Sequence, residues 1–298
     1  MEKSKLIVIL GTTACGKSGL GVALAKQYNG EIVSADSRQV YRGLNLGTGK
    51  ITPEEMEDVP HYMLDVAEPG ESYSVAQFQQ GAYTAIDDIA ARGCLPFLVG
   101  GTGLYVRAVS EGYVFHAAPP DLALRAQLEA LSTEELRARL AARGVELDTD
   151  AWNNRPRLVR LLEKVRNGED PHAEAARKPR YDVLTLGVSF PRETVCRRID
   201  ERLLARLDAG MVEEVAKLRR QGVSDEFLEG LGLEYRYILR YLQGALSSED
   251  ALIDELGRAI KRFAKRQVSW FKKDKDVHWL NMEADPTAEA AALIDAFL

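Results

Sequence analysis

A short loop near the amino terminus constrains the fold of this chain more than any other feature. The apolar run KLIVIL leads into GTTACGKS, and SGLGVALAKQY follows with apolar residues at helical spacing. A strand, a Gly-x-x-x-x-Gly-Lys-Ser loop and a helix in this order bind anions, because the loop N–H groups and the helix N-terminus converge. The loop residues are therefore predicted ligands of a phosphate or diphosphate: Gly11, Thr12, Thr13, Ala14, Cys15, Gly16, Lys17 and Ser18.

The loop does not by itself identify the phosphate that it holds. Lys17 brings a flexible charge to an outer phosphate, and the Ser18 hydroxyl can coordinate Mg²⁺, which we expect as the cofactor. A GTPase would need a base-recognition motif such as Asn-Lys-x-Asp, and the sequence contains none. An ATP-binding kinase that acts on a small molecule remains open on the loop alone.

Strand and helix patterns alternate through the first third of the chain. EIVSADS, HYMLDV and LPFLVGG have strand patterns, and VAQFQQGAYTAIDDIAARG has a helical one that ends at Gly93. This alternation predicts an α/β fold, namely a P-loop NTPase-like core with a parallel sheet flanked by helices. The pattern turns helical after Pro119 and returns to a strand at RKPRYDVLTLGVSF. We therefore predict a core of residues 1–116 and 180–298 with C-terminal helices, and a helical insertion domain at 117–179.

Composition argues against several classes of protein. Cys15, Cys94 and Cys196 lie far apart, which argues against a zinc module or a disulfide framework and favours a reduced, cytoplasmic setting. The apolar run LIVIL is too short for a signal peptide or a membrane span. A net charge of −6 gives no overall nucleic-acid signature, so any RNA surface must be local.

Two polar turns follow predicted strands. SADSRQVYRG places Asp36 at the end of the second strand, followed by Ser37, Arg38 and Gln39. A carboxylate there can accept a proton from a substrate amine or hydroxyl, or help to hold Mg²⁺, although an Asx turn is the alternative. LVGGTGLY places Thr102 at a helix N-terminus, where an N-cap is the alternative role. The dense polar cluster around Asp36 favours a functional role.

A long helix near the carboxyl terminus carries basic residues on one side. At 100° per residue, the cations that share this face are Arg258, Lys261, Arg262, Lys265, Arg266 and Lys272. The apolar residues predicted to face the core are Ile260, Phe263, Trp270 and Phe271. A basic stripe with few acidic partners on an acidic protein favours a polyanion-binding track over a merely solvated face.

The ordered set of motifs resembles the bacterial tRNA dimethylallyltransferases, also called tRNA isopentenyltransferases. The set begins with GTTACGKS, SADSRQVYRGLNLGTGK, PHYMLDV, SYSVAQF and LVGGTGLYVRA, and continues with RPRLVRLLE, RIDERL, GLEYRY and AIKRFAKRQVSWFKK. It spans nearly the whole chain in the family's order. The resemblance implies an enzyme that transfers a dimethylallyl group from dimethylallyl diphosphate to N6 of the adenine 3′-adjacent to the tRNA anticodon (position 37), releasing diphosphate.

The resemblance also implies roles for residues of the site. In that family the phosphate loop holds the donor's diphosphate with Mg²⁺, rather than ATP. The family's proposed general base for the N6 amine corresponds to Asp36, and its threonine near the reacting carbon corresponds to Thr102. The arginine that clamps the diphosphate corresponds to Arg202. By spacing alone Arg202 belongs to an exposed charged face, because Arg198 and Arg206 lie one turn away on either side.

The resemblance further implies contacts with the anticodon stem-loop of tRNA, in part through the helical insertion. Tyr235 and Arg236 of GLEYRY are candidates for stacking on or contacting anticodon-loop nucleotides, with core packing as the alternative for Tyr235. The predicted tRNA-contacting residues are Asp36, Ser37, Arg38, Gln39, Thr102, Arg125, Arg157, Leu158, Arg160, Tyr235, Arg236, Lys265, Arg266, Gln267, Trp270 and Lys272. We expect a monomer that binds tRNA and dimethylallyl diphosphate and no membrane.

Other activities remain open at this stage. An adenylate isopentenyltransferase acting on free AMP would share the chemistry but would not need the insertion or the basic helix. A P-loop small-molecule kinase would use Asp36 to activate a hydroxyl. A non-catalytic RNA-binding module would leave the phosphate loop and Asp36 unexplained. Arg38, Arg155 and Glu234 depart from the family pattern, the last standing where a glycine is commoner, without removing the chemistry.

Overall fold

Two compact units make up the chain in the computed structural model, which describes residues 3–115, 121–148, 151–173 and 176–298. One unit comprises Met1–Gly112 and Pro179–Leu298, and the other comprises Tyr113–Lys178. The first predicted domain boundary, between residues 116 and 117, lies outside the described residues.

A parallel sheet forms the centre of the first unit. Its strands are β1 (Lys5–Gly11), β2 (Gly30–Ser34), β3 (His61–Tyr62), β4 (Leu95–Gly100), β5 (Asp182–Ser189) and β6 (Val277–Asn281). The strand order is β3-β2-β4-β1-β5-β6, and every neighbouring pair is parallel. This confirms the predicted α/β class. HYMLDV forms a shorter strand than expected, because Met63 and Asp65 take positive φ angles of 63° and 54° and end it.

Helices follow the strands throughout the described residues. They are α1 (Lys17–Gln27), α2 (Pro53–Met56), α3 (Val75–Ala91), α4 (Gly103–Ser110), α5 (Leu122–Glu129), α6 (Thr133–Ala141), α7 (Arg155–Arg166), α8 (Arg192–Asp208), α9 (Met211–Arg220), α10 (Asp225–Leu231), α11 (Leu233–Leu242), α12 (Glu249–Phe271) and α13 (Pro286–Phe297). Helices α5–α7 belong to the second unit and the others to the first. Among the described helices, none is both long and apolar enough to cross a bilayer.

Strand β1 is buried on both faces, as its continuous apolar run requires. Leu6 and Val8 pack into a core that includes side chains of α3, α4 and α8–α12. Ile7 and Ile9 point to the opposite face, where α1 and α13 complete a second core. Because β1, β2 and β4 are parallel neighbours, the polar turns that follow them meet at one edge of the sheet.

The second unit has a core of its own. Its helices α5, α6 and α7 pack around a cluster that includes Leu128, Leu136, Leu140, Leu158 and Leu162. A capping box between Ser132 and Glu135 begins α6, which explains why a new helix starts there after the turn.

Candidate active site

The phosphate loop is shaped by residues in the left-handed backbone region. Ala14 and Gly16 have φ angles of 61° and 84°, the alternation that turns successive N–H groups towards an anion. Helix α1 begins immediately afterwards at Lys17, whose Nζ donates to the Thr12 carbonyl at 3.4 Å. The Cys15 side chain is fully buried behind the loop. The loop therefore has the anion-binding conformation that its sequence predicts.

The turns after β2 and β4 are joined by hydrogen bonds. Thr102 donates its N–H to the Ala35 carbonyl at 3.2 Å, and its Oγ1 accepts the Ser37 N–H at 3.0 Å. The Asp36 Oδ1 atom accepts the Arg38 N–H at 2.9 Å, so the Asx turn exists as well. The turn holds the carboxylate in place. Asp36 and Thr102, predicted separately, are thus brought to one corner of the site.

One cavity connects this corner to the phosphate loop. Lys17, Ser18, Asp36 and Gln39 line it together. His61 also lines it, and burial lowers the pKa of His61 below its ordinary value. Sequence reasoning missed His61, because it begins β3, in register with Ile32, whereas the predicted site residues follow strand ends.

Two arginines of helix α8 donate hydrogen bonds to the phosphate loop. The Arg198 Nε donates to the Ala14 carbonyl at 2.8 Å, and the Arg202 guanidinium donates to the Thr13 Oγ1. Burial lowers the pKa of Arg202, and repulsion from Arg206 acts in the same direction. The exposed-face interpretation of this arginine row is therefore wrong for Arg202, which contacts the phosphate loop; that Arg202 clamps a diphosphate stays a prediction.

Glu234, which departs from the family pattern, lies among these arginines. It lines a small cavity with Arg202 and Arg206 and the apolar side chains of Leu203 and Ile260. Burial raises the pKa of Glu234, while attraction to the two arginines opposes that rise. An additional carboxyl group therefore lies beside the positive charge collected next to the phosphate loop.

Helix α12 is tied to the site through its side chains. Gln267 accepts the Thr13 N–H through Oε1 at 3.1 Å and donates Nε2 to the Gly101 carbonyl at 3.1 Å. The Trp270 ring occupies the space that a side chain at position 103 would need, which explains Gly103. Gln267 and Trp270, predicted to contact tRNA, thus make contacts within the protein in this structure.

The basic stripe on α12 is largely open to solvent. Its exposed members are Arg258, Arg262, Lys265, Arg266 and Lys272. Lys261 is half-buried and pairs with Asp200 at 2.6 Å. The prediction that Phe263 faces the core is wrong, because 40% of its surface is exposed. Periodicity fixes the face of a helix on which a residue lies, but not whether another element covers that face.

In the second unit, the predicted RNA-contacting residues take part in internal packing and pairing. Arg125 forms a bidentate ion pair with the buried Glu163, with N–O distances of 2.8 Å and 2.9 Å. Arg160 also donates to the Glu163 carboxylate, at 3.3 Å. Arg157 pairs with Asp148 at 2.8 Å. The Leu158 side chain is fully buried in the core of the unit. The Leu158 side chain is therefore not available to RNA, and the predicted tRNA contact of the segment that contains Arg157, Leu158 and Arg160 stays a prediction.

Tyr235 also has a structural position rather than an RNA-facing one. Its side chain is 1% exposed, and its hydroxyl donates to Glu214 Oε1 at 2.8 Å. The core-packing interpretation of Tyr235 is therefore correct and the stacking interpretation is wrong. Arg236, the next residue, is exposed and donates to the Glu229 carbonyl.

Glu214 is a residue that sequence reasoning missed. Its carboxylate accepts three backbone N–H groups of one loop, from Asn45 at 3.0 Å, Leu46 at 2.8 Å and Gly47 at 3.0 Å. The same loop reaches the site through Gly49, whose carbonyl accepts the Gln39 amide at 3.1 Å. Glu214 lies 169 residues from Asn45, and no local pattern distinguishes it from a surface glutamate.

Comparison with known proteins identifies the family. The family model described as IPP transferase matches residues 39–274, and a model described as isopentenyl transferase matches residues 4–68. The chain belongs to the IPP transferase family. It is 43% identical over 288 residues to a tRNA dimethylallyltransferase of Exiguobacterium sp., covering 95% of this chain and 92% of that protein. A tRNA dimethylallyltransferase 2 of Shewanella sediminis is 42% identical, and the match covers 99% of each chain.

Solved structures of IPP transferase relatives share the fold. The full-length tRNA isopentenylpyrophosphate transferase from Bacillus halodurans is 36% identical, with a TM-score of 0.76 and coverage of 99% of this chain and 97% of that one. A eukaryotic dimethylallyltransferase described as acting on tRNA is 26% identical, with a TM-score of 0.78. The match covers 97% of this chain and 78% of that one. The fold prediction made from the phosphate loop and the strand pattern is thus confirmed along nearly the whole chain.

Proposed function

We propose that this IPP transferase family member transfers a dimethylallyl group from dimethylallyl diphosphate to N6 of the adenine 3′-adjacent to the anticodon of tRNA, releasing diphosphate. The observation that carries the proposal is the shared cavity of Lys17, Ser18 and Asp36, which places an anion-binding loop beside a carboxylate. The names of the relatives support the same activity. Because its acceptor is a tRNA, we propose a cytoplasmic setting.

Cationic groups and loop N–H groups bind the diphosphate and stabilise it as it leaves. The bond between the allylic carbon of the donor and its diphosphate oxygen breaks, and negative charge develops on the departing diphosphate. Lys17 and Arg202, both at the loop, stabilise that charge together with the N–H groups of the loop and the first turn of α1. These groups are held in place before the reaction, so stabilising the transition state requires little reorganisation.

Asp36 and Thr102 position the acceptor adenine. The adenine N6 attacks the allylic carbon, a carbon–nitrogen bond forms, and one N6 proton passes to the Asp36 carboxylate. Positioning matters because an aryl amine is a poor nucleophile. The Arg38 N–H orients Asp36, and the Ser37 N–H orients the Thr102 hydroxyl towards the same corner. A target base within a stacked anticodon loop must flip out to reach this corner.

The residues of the cavity fit a Mg²⁺ ion bound mainly through the donor. Mg²⁺ favours phosphate oxygens, retained waters and one or two protein oxygens over a cage made only of protein ligands. The Ser18 hydroxyl supplies such an oxygen at the start of α1, in the same cavity as Asp36. Bound there, Mg²⁺ would neutralise charge on the diphosphate.

The other candidate activities are separated by their acceptors. Free AMP as acceptor would leave the exposed cations of α12 without a role in substrate binding. A kinase would place a hydroxyl substrate at Asp36 and consume ATP. The exposed basic face of α12, tied to the phosphate loop through Gln267, favours a polyanionic acceptor.

Label transfer from dimethylallyl diphosphate tests the proposal. Purified protein and Mg²⁺ are offered unmodified tRNA, the same tRNA with guanine in place of the target adenine, AMP, or ATP with phosphoryl acceptors. We expect label in the unmodified tRNA alone and none in the guanine-substituted tRNA. Label in AMP, or ATP consumption without prenyl transfer, would contradict the proposal.

A further inference from the structure

Phe263 on helix α12 is an aromatic side chain that has no role in the proposed chemistry of the phosphate loop, Asp36 and Thr102. It is 40% exposed, although the buried face of the same helix includes Leu256, Ile260, Ala264 and Phe271. A single exposed apolar residue is ordinary on a protein surface. Its significance therefore depends on its position and its neighbours.

The position of Phe263 is next to the active site. Phe263, Gln267 and Trp270 follow one another at intervals of four and three residues, so they form one row along the helix. Gln267 bonds the phosphate loop and Gly101, and Trp270 packs on Gly103. Phe263 lies one turn before Gln267, about 6 Å along the axis at 1.5 Å per residue. It thus continues, at the solvent edge, the row that contacts the site.

One cation lies beside the Phe263 ring. The Arg266 guanidinium lies 5.7 Å from its centroid, and Arg262 and Lys265 are exposed on the same stretch of helix. An exposed aromatic ring with one cation beside it, on a helix that carries further exposed cations, suits a single-stranded nucleic acid, because a base stacks on the ring while phosphates meet the charges. An apolar protein partner would have to desolvate those charges.

We propose that Phe263 is a stacking platform for an unpaired anticodon-loop nucleobase next to the target adenine. The inference rests on the proposed function. Flipping the adenine into the Asp36 corner removes a stacking partner from its neighbour in the loop. The Phe263 ring replaces that partner, and Arg266 adds a cation–π contact. Because every base has a π-face, this contact tolerates different sequences beside the target.

Binding measurements on matched variants test this role. Phe263→Ala and Phe263→Leu are compared with Phe263→Tyr, which keeps the π-face, and with Leu204→Ala, a similarly exposed apolar position on α8 (46% exposed, against 40% for Phe263). Fluorescence anisotropy measures the Kd of each for an unmodified anticodon stem-loop across a salt series. We expect Kd to rise roughly tenfold for Ala and Leu, from the loss of one base–aromatic stack, and to stay within about twofold for Tyr and for the control.

Salt dependence separates stacking from charge. The slope of log Kd against log salt should be unchanged in the Phe263 variants, because no phosphate contact is lost. It should decrease by about one in Lys265→Ala if that side chain neutralises one phosphate. A Phe263→Leu protein that binds like the wild type, or a Phe263→Ala loss confined to the salt slope, would overturn the stacking role.

The outcome also separates this inference from the proposed function. If wild-type protein prenylates the stem-loop and Phe263→Ala binds it equally well, only the stacking role fails. If wild-type protein prenylates AMP and not tRNA, the proposed function fails, and the platform fails with it. Unchanged RNA affinity together with a lower sedimentation mass in Phe263→Ala would assign the ring to contact between two copies of the chain and would overturn the inference.

Discussion

The Gln267 side chain accepts a hydrogen bond from the Thr13 N–H at 3.1 Å, so helix α12 is joined directly to the phosphate loop. Its second bond, to the Gly101 carbonyl at 3.1 Å, joins the same side chain to the turn that carries Thr102. One amide group therefore joins the phosphate loop, the turn that carries Thr102 and helix α12. This is a positioning role within the protein, whether or not the residue also contacts RNA.

Substituting Gln267 should affect the donor more than the RNA. Gln267→Leu keeps the volume but removes both hydrogen bonds, each of which contributes about 1 kcal/mol. We expect the KM for dimethylallyl diphosphate to rise roughly tenfold, with the Kd for tRNA nearly unchanged. Steady-state kinetics with each substrate varied separately measure the split. Gln221→Leu, at the exposed end of α9, is the control. A loss confined to tRNA affinity would mean that Gln267 acts chiefly as an RNA ligand.

Arg202 should matter to the chemical step. Its guanidinium contacts Thr13 in the phosphate loop, where charge develops on the leaving diphosphate. Removing one preorganised donor from such a site costs about 10²- to 10³-fold in kcat. We expect a loss of that order in Arg202→Gln and a partial recovery in Arg202→Lys, which keeps the charge. Arg197→Gln, exposed on the same helix, serves as the control. An unchanged kcat in Arg202→Gln would remove Arg202 from the catalytic machinery.

Glu214 should stabilise the fold near the site. A glutamine there has one accepting oxygen in place of two, and its NH₂ group would face backbone N–H donors of the loop from Asn45 to Gly47. We expect Glu214→Gln to lower the free energy of unfolding by roughly 1–3 kcal/mol, and Tyr235→Phe by about 1 kcal/mol. Urea denaturation measures both. Glu213→Gln, on the exposed side of α9, should change little, and equal losses in the two glutamine variants would contradict the account.

The stability of the protein should depend on pH through Glu234. Burial raises the pKa of Glu234 above the ordinary carboxyl value of 4.5, against the attraction of Arg206 and Arg202. A carboxyl group with a raised pKa binds its proton more tightly in the folded state, so its contribution is present at low pH and lost as pH rises through the folded pKa. The free energy of unfolding of the wild type relative to Glu234→Gln should therefore fall as pH rises above about 4.5. Urea titrations across pH measure this difference. A difference that stays constant or grows with pH would contradict the prediction.

Much of the site was predictable because its residues follow strand ends. Lys17 follows β1, Asp36 follows β2 and Thr102 follows β4, and in a parallel sheet these ends share one edge. Local sequence therefore predicted the polar groups and sheet topology brought them together. Arg202 is different, since its spacing favoured a solvated face, and only the resemblance placed it in the site, beside the diphosphate.

The remaining features depend on contacts between distant parts of the chain. Nothing near Glu214 in sequence indicates the N–H groups that it binds, 167 to 169 residues away. The exposure of Phe263 and the burial of Leu158 both follow from which surfaces neighbouring elements cover, and helical periodicity does not determine that. Glu163 likewise pairs with Arg125, 38 residues earlier, and no local pattern indicates that pairing.

Asp36 should serve the chemistry of prenyl transfer to tRNA, and single-turnover transfer in Asp36→Asn measures this. The measurement follows label from dimethylallyl diphosphate into a saturating amount of unmodified tRNA, beside the Kd of the same tRNA. Asp208→Asn, exposed at the end of α8, is the control. We expect a rate at least about 10²-fold lower in Asp36→Asn, with the Kd for tRNA within about twofold of wild type. A wild-type transfer rate, or a loss that appears only in tRNA affinity, would contradict it.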